Sequence, residues 1–132
     1  MKPLRKLAEI GSATIGHQAP DIPRLRESFG DLAAQLVAAT LSQKNGFYAF
    51  EGALHVFPDL GLPPERGIHD WNAPTLWRAD YEGMADDLVF FAEDAFGTQF
   101  CIRHGVIGTF DPETGAFEAM AENAEDWAAK IL

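Results

Sequence analysis

Leu88-Val89-Phe90-Phe91-Ala92-Glu93-Asp94-Ala95-Phe96-Gly97-Thr98-Gln99-Phe100-Cys101-Ile102-Arg103-His104-Gly105-Val106-Ile107-Gly108-Thr109-Phe110 alternates short apolar runs with turn-forming residues. Leu88 to Ala92 is continuous apolar chain, which predicts a central strand. Glu93 to Thr98 reads as a turn, and Gln99 to Arg103 as a return strand with polar residues at its ends and Phe100 and Ile102 between them. His104-Gly105 turns again, and Val106 to Phe110 gives a third strand. Asp111-Pro112-Glu113-Thr114-Gly115 follows, with Pro early and Gly last, a strong turn signal. Ala116 to Ala121 completes a four-strand meander. Asn123 then caps a helix, with Asp126 three residues on and Trp127 and Ile131 along one side.

Working toward the N-terminus, the aromatic and β-branched run Phe47 to Phe57 predicts strand, with Gly52 marking a bulge or bend. Residues 58–73 are rich in Pro and Gly and read as a long loop. Pro74 opens a short helix in which Trp77 and Tyr81 share a face. Leu25, Phe29, Leu32, Leu36 and Thr40 keep a three-to-four spacing, which predicts helix. Gly30 weakens its first half. The helix is therefore firm from Asp31, and Asn45-Gly46 supplies its exit. Residues 1–22 mix Gly, Ser, Thr, Gln and Pro without a sustained period and are expected to form a poorly ordered segment. Residues 23–132 then form one α+β domain, its mostly antiparallel sheet packed by helices.

The chain's 132 residues fit a single domain, and 47% hydrophobic with 23% charged residues is ordinary globular usage. The single Cys101 excludes an intrachain disulfide framework and fits a reducing compartment. Met1-Lys2-Pro3-Leu4-Arg5-Lys6 has the charge of a signal peptide, but Glu9, Gly11 and Ser12 interrupt the apolar stretch that should follow. No run approaches a membrane span. A cytoplasmic protein without membrane contact is expected. The net charge is −10 and unevenly placed. Through Lys44, six Lys/Arg face four Asp/Glu, a balance of +2; beyond it, four face sixteen, a balance of −12. Such a surface repels nucleic acid and favours encounter with a basic protein.

Catalytic signatures are missing. There is no phosphate-binding G-x-x-x-x-G-K-[ST] or G-x-G-x-x-G motif, and no G-x-S-x-G. The histidines His17, His55, His69 and His104 show no i,i+4 pair, and one cysteine leaves no C-x-x-C, so neither metal nor cofactor is expected. Cys101 lies in an apolar run and reads as a buried structural thiol; His104, three positions along, points to the opposite face. His69-Asp70, the one His–acid neighbour pair, sits in the loop without a third ligand. Asp86-Asp87 and Glu93-Asp94 flank the 88–92 strand and are the only candidate acid/base pair. A hydrolase built on them requires a deep pocket between Asp87 and Glu93. Read as a binding surface, the same residues place crowded acids beside Phe96, a turn aromatic suited to anchoring a partner. Asp86, Asp87, Glu93, Asp94 and Phe96 are thus the candidate partner-binding residues.

Four blocks in order resemble the SUKH superfamily, which includes fungal regulators of cell-wall synthesis and many bacterial immunity proteins. They are Asn45-Gly46-Phe47-Tyr48-Ala49-Phe50-Glu51-Gly52-Ala53-Leu54-His55-Val56-Phe57-Pro58; Trp71-Asn72 with Trp77 and Tyr81; Phe90 to Phe100; and Phe110-Asp111-Pro112-Glu113-Thr114-Gly115. The resemblance implies a single α+β domain with a curved antiparallel sheet and no catalytic site. It further implies an immunity protein that occludes a cognate polymorphic toxin, a nuclease or other nucleic-acid-directed domain with a basic surface. A protein-binding regulatory scaffold like the fungal members is the alternative. Contact residues vary across that family, so none is carried over.

Overall fold

The computed structural model describes residues 1–59, 67–73, 81, 85 and 87–132. Among the described residues five helices and six strands run in the order α1 (Pro3–Ile10), α2 (Ile22–Phe29), α3 (Asp31–Gln43), β1 (Phe47–Ala49), β2 (Leu54–Val56), α4 (Ile68–Trp71), β3 (Val89–Asp94), β4 (Gln99–Arg103), β5 (Val106–Phe110), β6 (Phe117–Ala121) and α5 (Ala124–Ile131). The strands form one antiparallel sheet in sequential order, β1-β2-β3-β4-β5-β6. The fold is mixed α+β, with the sheet left open rather than closed into a barrel.

The first 22 residues depart from expectation. Pro3 opens α1, whose Leu4, Leu7 and Ala8 recur at helical spacing and are buried in the main core. Lys44 Nζ donates to the carbonyls of Ala8 (2.5 Å) and Ser12 (2.7 Å), closing the exit of α1 against the end of α3. The backbone of Ser12, Ile15 and Gly16 donates to Tyr48, Gly46 and Asn45. The segment expected to be poorly ordered therefore contributes Leu4, Leu7 and Ala8 to the core. Its mixed composition belongs to the connection after Ile10, which is held by these backbone hydrogen bonds rather than by apolar burial.

The helical spacing from Leu25 to Thr40 is two helices rather than one. Asp21 caps α2 by accepting from Arg24 N, and Gly30, at φ +84°, breaks the chain before α3. Likewise the run Phe47 to Phe57 is a hairpin. Its turn lies at Phe50 and Glu51, both at left-handed φ (53° and 57°), followed by Gly52. Residues 58–73 hold the single turn α4; the helix expected from Pro74, with Trp77, lies outside the described residues. The meander and its capped final helix appear at nearly the expected places, except that β3 extends through Asp94 and the turn is correspondingly shorter.

The sheet is covered on both faces. Helices α1, α3 and α5 bury Phe47, Val56, Phe91, Phe100 and Ile102 with Trp127. On the other face Leu88, Phe90, Cys101 and Phe110 form a second cluster with Trp71 and Tyr81 packed against it. Phe90 and Phe91, adjacent in the strand, point to opposite faces and enter different clusters, while the register shift between Phe90 and Ala92 places Phe91 and Ala92 together in the main one. Asn72 fixes this arrangement. Its Nδ2 donates to the carbonyls of Ile68 (2.8 Å) and Phe90 (2.7 Å), while Phe90 N–H donates to its Oδ1 (2.8 Å).

Replacing Asn72 with Ala strands buried backbone groups on β3. Denaturant unfolding should show a loss of about 3 kcal/mol. A loss within experimental error would remove the pin from this account.

Candidate functional site

The register brings three hairpin turns to one end of the sheet. Leu54 pairs with Asp94, Glu93 with Gln99, and Gln99 with Phe110, so turns 50–53, 95–98 and 111–116 lie side by side. A Cβ built on Gly97 would stand 3.9 Å from Pro112 Cγ, which shows how closely the second and third turns approach. Together these turns and the adjoining Asp94 carry Glu51, Asp94, Asp111 and Glu113 and no Lys or Arg. Two phenylalanines project from the same end, Phe96 at 91% exposure and Phe50 at 43%.

The turn bearing Phe96 is preformed. Asp94 Oδ1 accepts from the N–H groups of Phe96 and Thr98, both at 2.9 Å, and the Asp94 and Thr98 backbones pair at 3.0 Å. Phe96 does not fold back onto the sheet. Phe50 is held differently, by a left-handed backbone that costs a residue with a Cβ about 1 kcal/mol or more. Tyr81 steadies the neighbouring turn, its hydroxyl donating to the Pro112 carbonyl at 2.7 Å.

Glu93 behaves unlike Asp94. It belongs to β3, in a cross-strand row that runs Tyr48, His55, Glu93, Gln99. Tyr48 stacks on His55 with ring centroids 4.4 Å apart. Glu93 Oε1 lies 3.4 Å from His55 Nδ1, and Oε2 accepts from Gln99 Nε2 at 3.3 Å. Gln99 Oε1 in turn accepts from Trp71 Nε1 at 2.7 Å. The hydrogen bond from His55, helped by Gln99, holds the Glu93 carboxyl below its ordinary pKa of 4.5 against the opposing effect of burial. Glu93 therefore ties four strands and α4 together, while Asp94 shapes the projecting turn.

Asp87 stands in the turn just before β3, beyond the end of the strand opposite to Glu93 and more than about 10 Å from it along the strand. It pairs with Arg103 Nε at 3.2 Å and His104 Nε2 at 3.4 Å. Asp86 lies outside the described residues. Asp87 is thus separated from Glu93 and Asp94, and of the grooves of about 410 and 310 Å³ neither is lined by both Asp87 and Glu93. Cys101 is fully buried, with Sγ facing the Gly108 carbonyl at 3.7 Å, and His104 is exposed in the following turn.

His69 has its acid, though not Asp70. Its Nε2 lies 3.1 Å from Oδ1 of Asp59, a carboxylate with no exposed surface. Asp59 Oδ2 accepts from Asp21 N at 2.7 Å, and Asp59 N donates to Asn45 Oδ1 at 2.8 Å. Phe29 stacks on the imidazole at 5.2 Å. This knot fastens α2, the start of β1 and α4 to one another. Burial, and then the Arg24 guanidinium, push His69 below its ordinary pKa of 6.5, with Asp59 and Asp70 opposing. No group of three His, Cys, Asp or Glu among the described residues is placed to hold a metal ion. No described helix is long and apolar enough to cross a membrane.

No family model, curated protein or solved structure matches the chain. Its site is therefore defined by its own geometry.

Both depressed groups make stability depend on pH, with the same sign. The unfolded chain takes up a proton at His69 more readily than the folded one, so stability falls as pH drops below 6.5 toward the lower folded value. The contribution of Glu93 is complete above 4.5 and is lost as pH falls through its own folded value. Thermal melts across this range should show melting temperature declining in two stages. His69→Gln should flatten the upper stage and Glu93→Gln the lower; a single stage untouched by either change would contradict these assignments.

Proposed function

We propose that the chain is a binding protein that neutralises a basic, nucleic-acid-directed toxin domain by covering its working surface with the turn end of the sheet. The observation that carries this reading is Phe96, almost fully exposed on a turn that its neighbour Asp94 holds rigid. A soluble chain gains nothing in folding from an aromatic ring left in water, whereas a rigid exposed ring loses little conformational freedom when a partner closes over it. Phe50 adds a second ring at a backbone cost, which fits a contact role better than a packing role. Acids on the first and third turns and Asp94 beside the second, with no Lys or Arg among them, complement a groove built to bind phosphates. They would speed the encounter and set its orientation, while the rings supply affinity. The SUKH resemblance supports the class of partner, since its bacterial members include immunity proteins. Occlusion needs no reactive group in this chain.

The test is co-expression with the toxin domain of an adjacent gene, followed by binding kinetics on the purified pair. Phe96→Ser should weaken binding by about 2 kcal/mol, roughly thirty-fold, mainly through faster dissociation. Glu51→Lys with Glu113→Lys should instead slow association about tenfold and flatten its salt dependence. Full growth protection and unchanged kinetics in the triple variant would overturn the assignment of this surface.

A further inference from the structure

A second surface lies at the other end of the sheet, centred on Leu32. This residue sits in the first turn of α3, and its side chain is the ridge between two shallow grooves. One, of about 410 Å³, is lined by Leu4, Leu36, Ala39 and Ala124 together with the exposed Glu122 and with Glu125, whose Oε1 accepts from Leu4 N at 2.9 Å. The other, of about 310 Å³, lies between the α2–α3 junction and the strands, lined by Phe29, Val89 and Ile102 with Asp31 and Asp87 beside them. Both grooves reach Gly105, and a Cβ there would meet Leu32 Cδ1 at 3.6 Å. Leu32 is 61% exposed, and Val106, next to Gly105, is also solvent-facing.

We propose that these two grooves dock an amphipathic basic helix of a protein partner, whose apolar side chains straddle Leu32 and whose Lys or Arg residues meet the acids of the lining. The floor is apolar, so an occupant must bring apolar side chains. Acids line both grooves and, among the described residues, neither is lined by Lys or Arg, His104 being the one basic side chain in the lining of the second. Asp31 and Asp87 have partners in Arg26 and in Arg103 and His104, but each carboxylate remains substantially exposed. A second copy of this chain would bring Asp31, Asp87, Glu122 and Glu125 against their equivalents, and like charges across an interface oppose association. A basic segment gains where a copy loses. Helical spacing suits the site because two grooves on either side of one ridge accept side chains from adjacent turns. This surface is independent of the Phe96 end and of the toxin reading.

The probe is a synthetic peptide of about four helical turns, with Leu on one face and Lys on the other. Its control is a peptide of the same composition scrambled to destroy the face. Isotope-labelled full chain is titrated with each and followed by amide NMR shifts. The patterned peptide should bind with a dissociation constant below about 1 mM, shifting residues around Leu32, Gly105 and Ala124. Leu32→Ser should weaken it at least tenfold, and Glu122→Lys should weaken it further. Leu32 is surface-exposed, and the spectrum of each variant reports its folding directly. No binding at that concentration, equal binding of the scrambled peptide, or shifts centred on the Phe96 turn would overturn the proposal. So would self-association abolished by Leu32→Ser.

Discussion

A central strand that is apolar on both sides governs this molecule. Phe90 and Phe91 are adjacent, so strand alternation sends them to opposite faces and into different clusters. A strand of that kind is stable only if both faces of its sheet are covered. Helices α1, α3 and α5 cover one face; α4 with Trp71 and Tyr81 contributes to the cover of the other. Asn72 is what makes the second cover dependable, since it satisfies backbone groups on β3 and α4 together. With both faces occupied, much of what the sheet can offer a partner lies at its two ends.

That division sorts the acidic residues. Those at the hairpin end surround projecting aromatic rings, and those at the other end flank apolar grooves. Glu93, which the sequence places among the exposed acids, is drawn inward by His55 and Gln99. Asp59 is drawn in more completely, behind His69 and the N–H of Asp21. Negative charge in this chain therefore has two uses: buried carboxylates join segments distant in sequence, and exposed ones give the surface its sign.

The meander was legible because its punctuation is local. His104-Gly105 and Asp111 to Gly115 stop strands by their own backbone preferences, and Asn123 announces α5 by accepting from Asp126 N. The first hairpin was not legible, because its turn uses Phe50 and Glu51 at left-handed angles that propensity disfavours. Helix α1 had a readable stripe in Leu4, Leu7 and Ala8, and Pro3 to open it, but eight residues are too few to outweigh the Gly and Ser that follow. Of the candidate site, Phe96 and the acids around it could be picked from turn chemistry. The grooves could not, since they depend on how α3 meets the β4–β5 turn. The pairings of Glu93 with His55 and Asp59 with His69 join residues 38 and 10 positions apart, and only the fold supplies those distances.

The left-handed turn at Phe50 sets a limit on improving this chain. Glycine or asparagine at that position would relax the backbone and raise the melting point, and selection for ruggedness alone would favour such a change. The same exchange would erase one of two projecting rings. Under the proposed binding role, durability and grip are coupled at this single residue, and lineages kept sharp for recognition should retain the less comfortable choice.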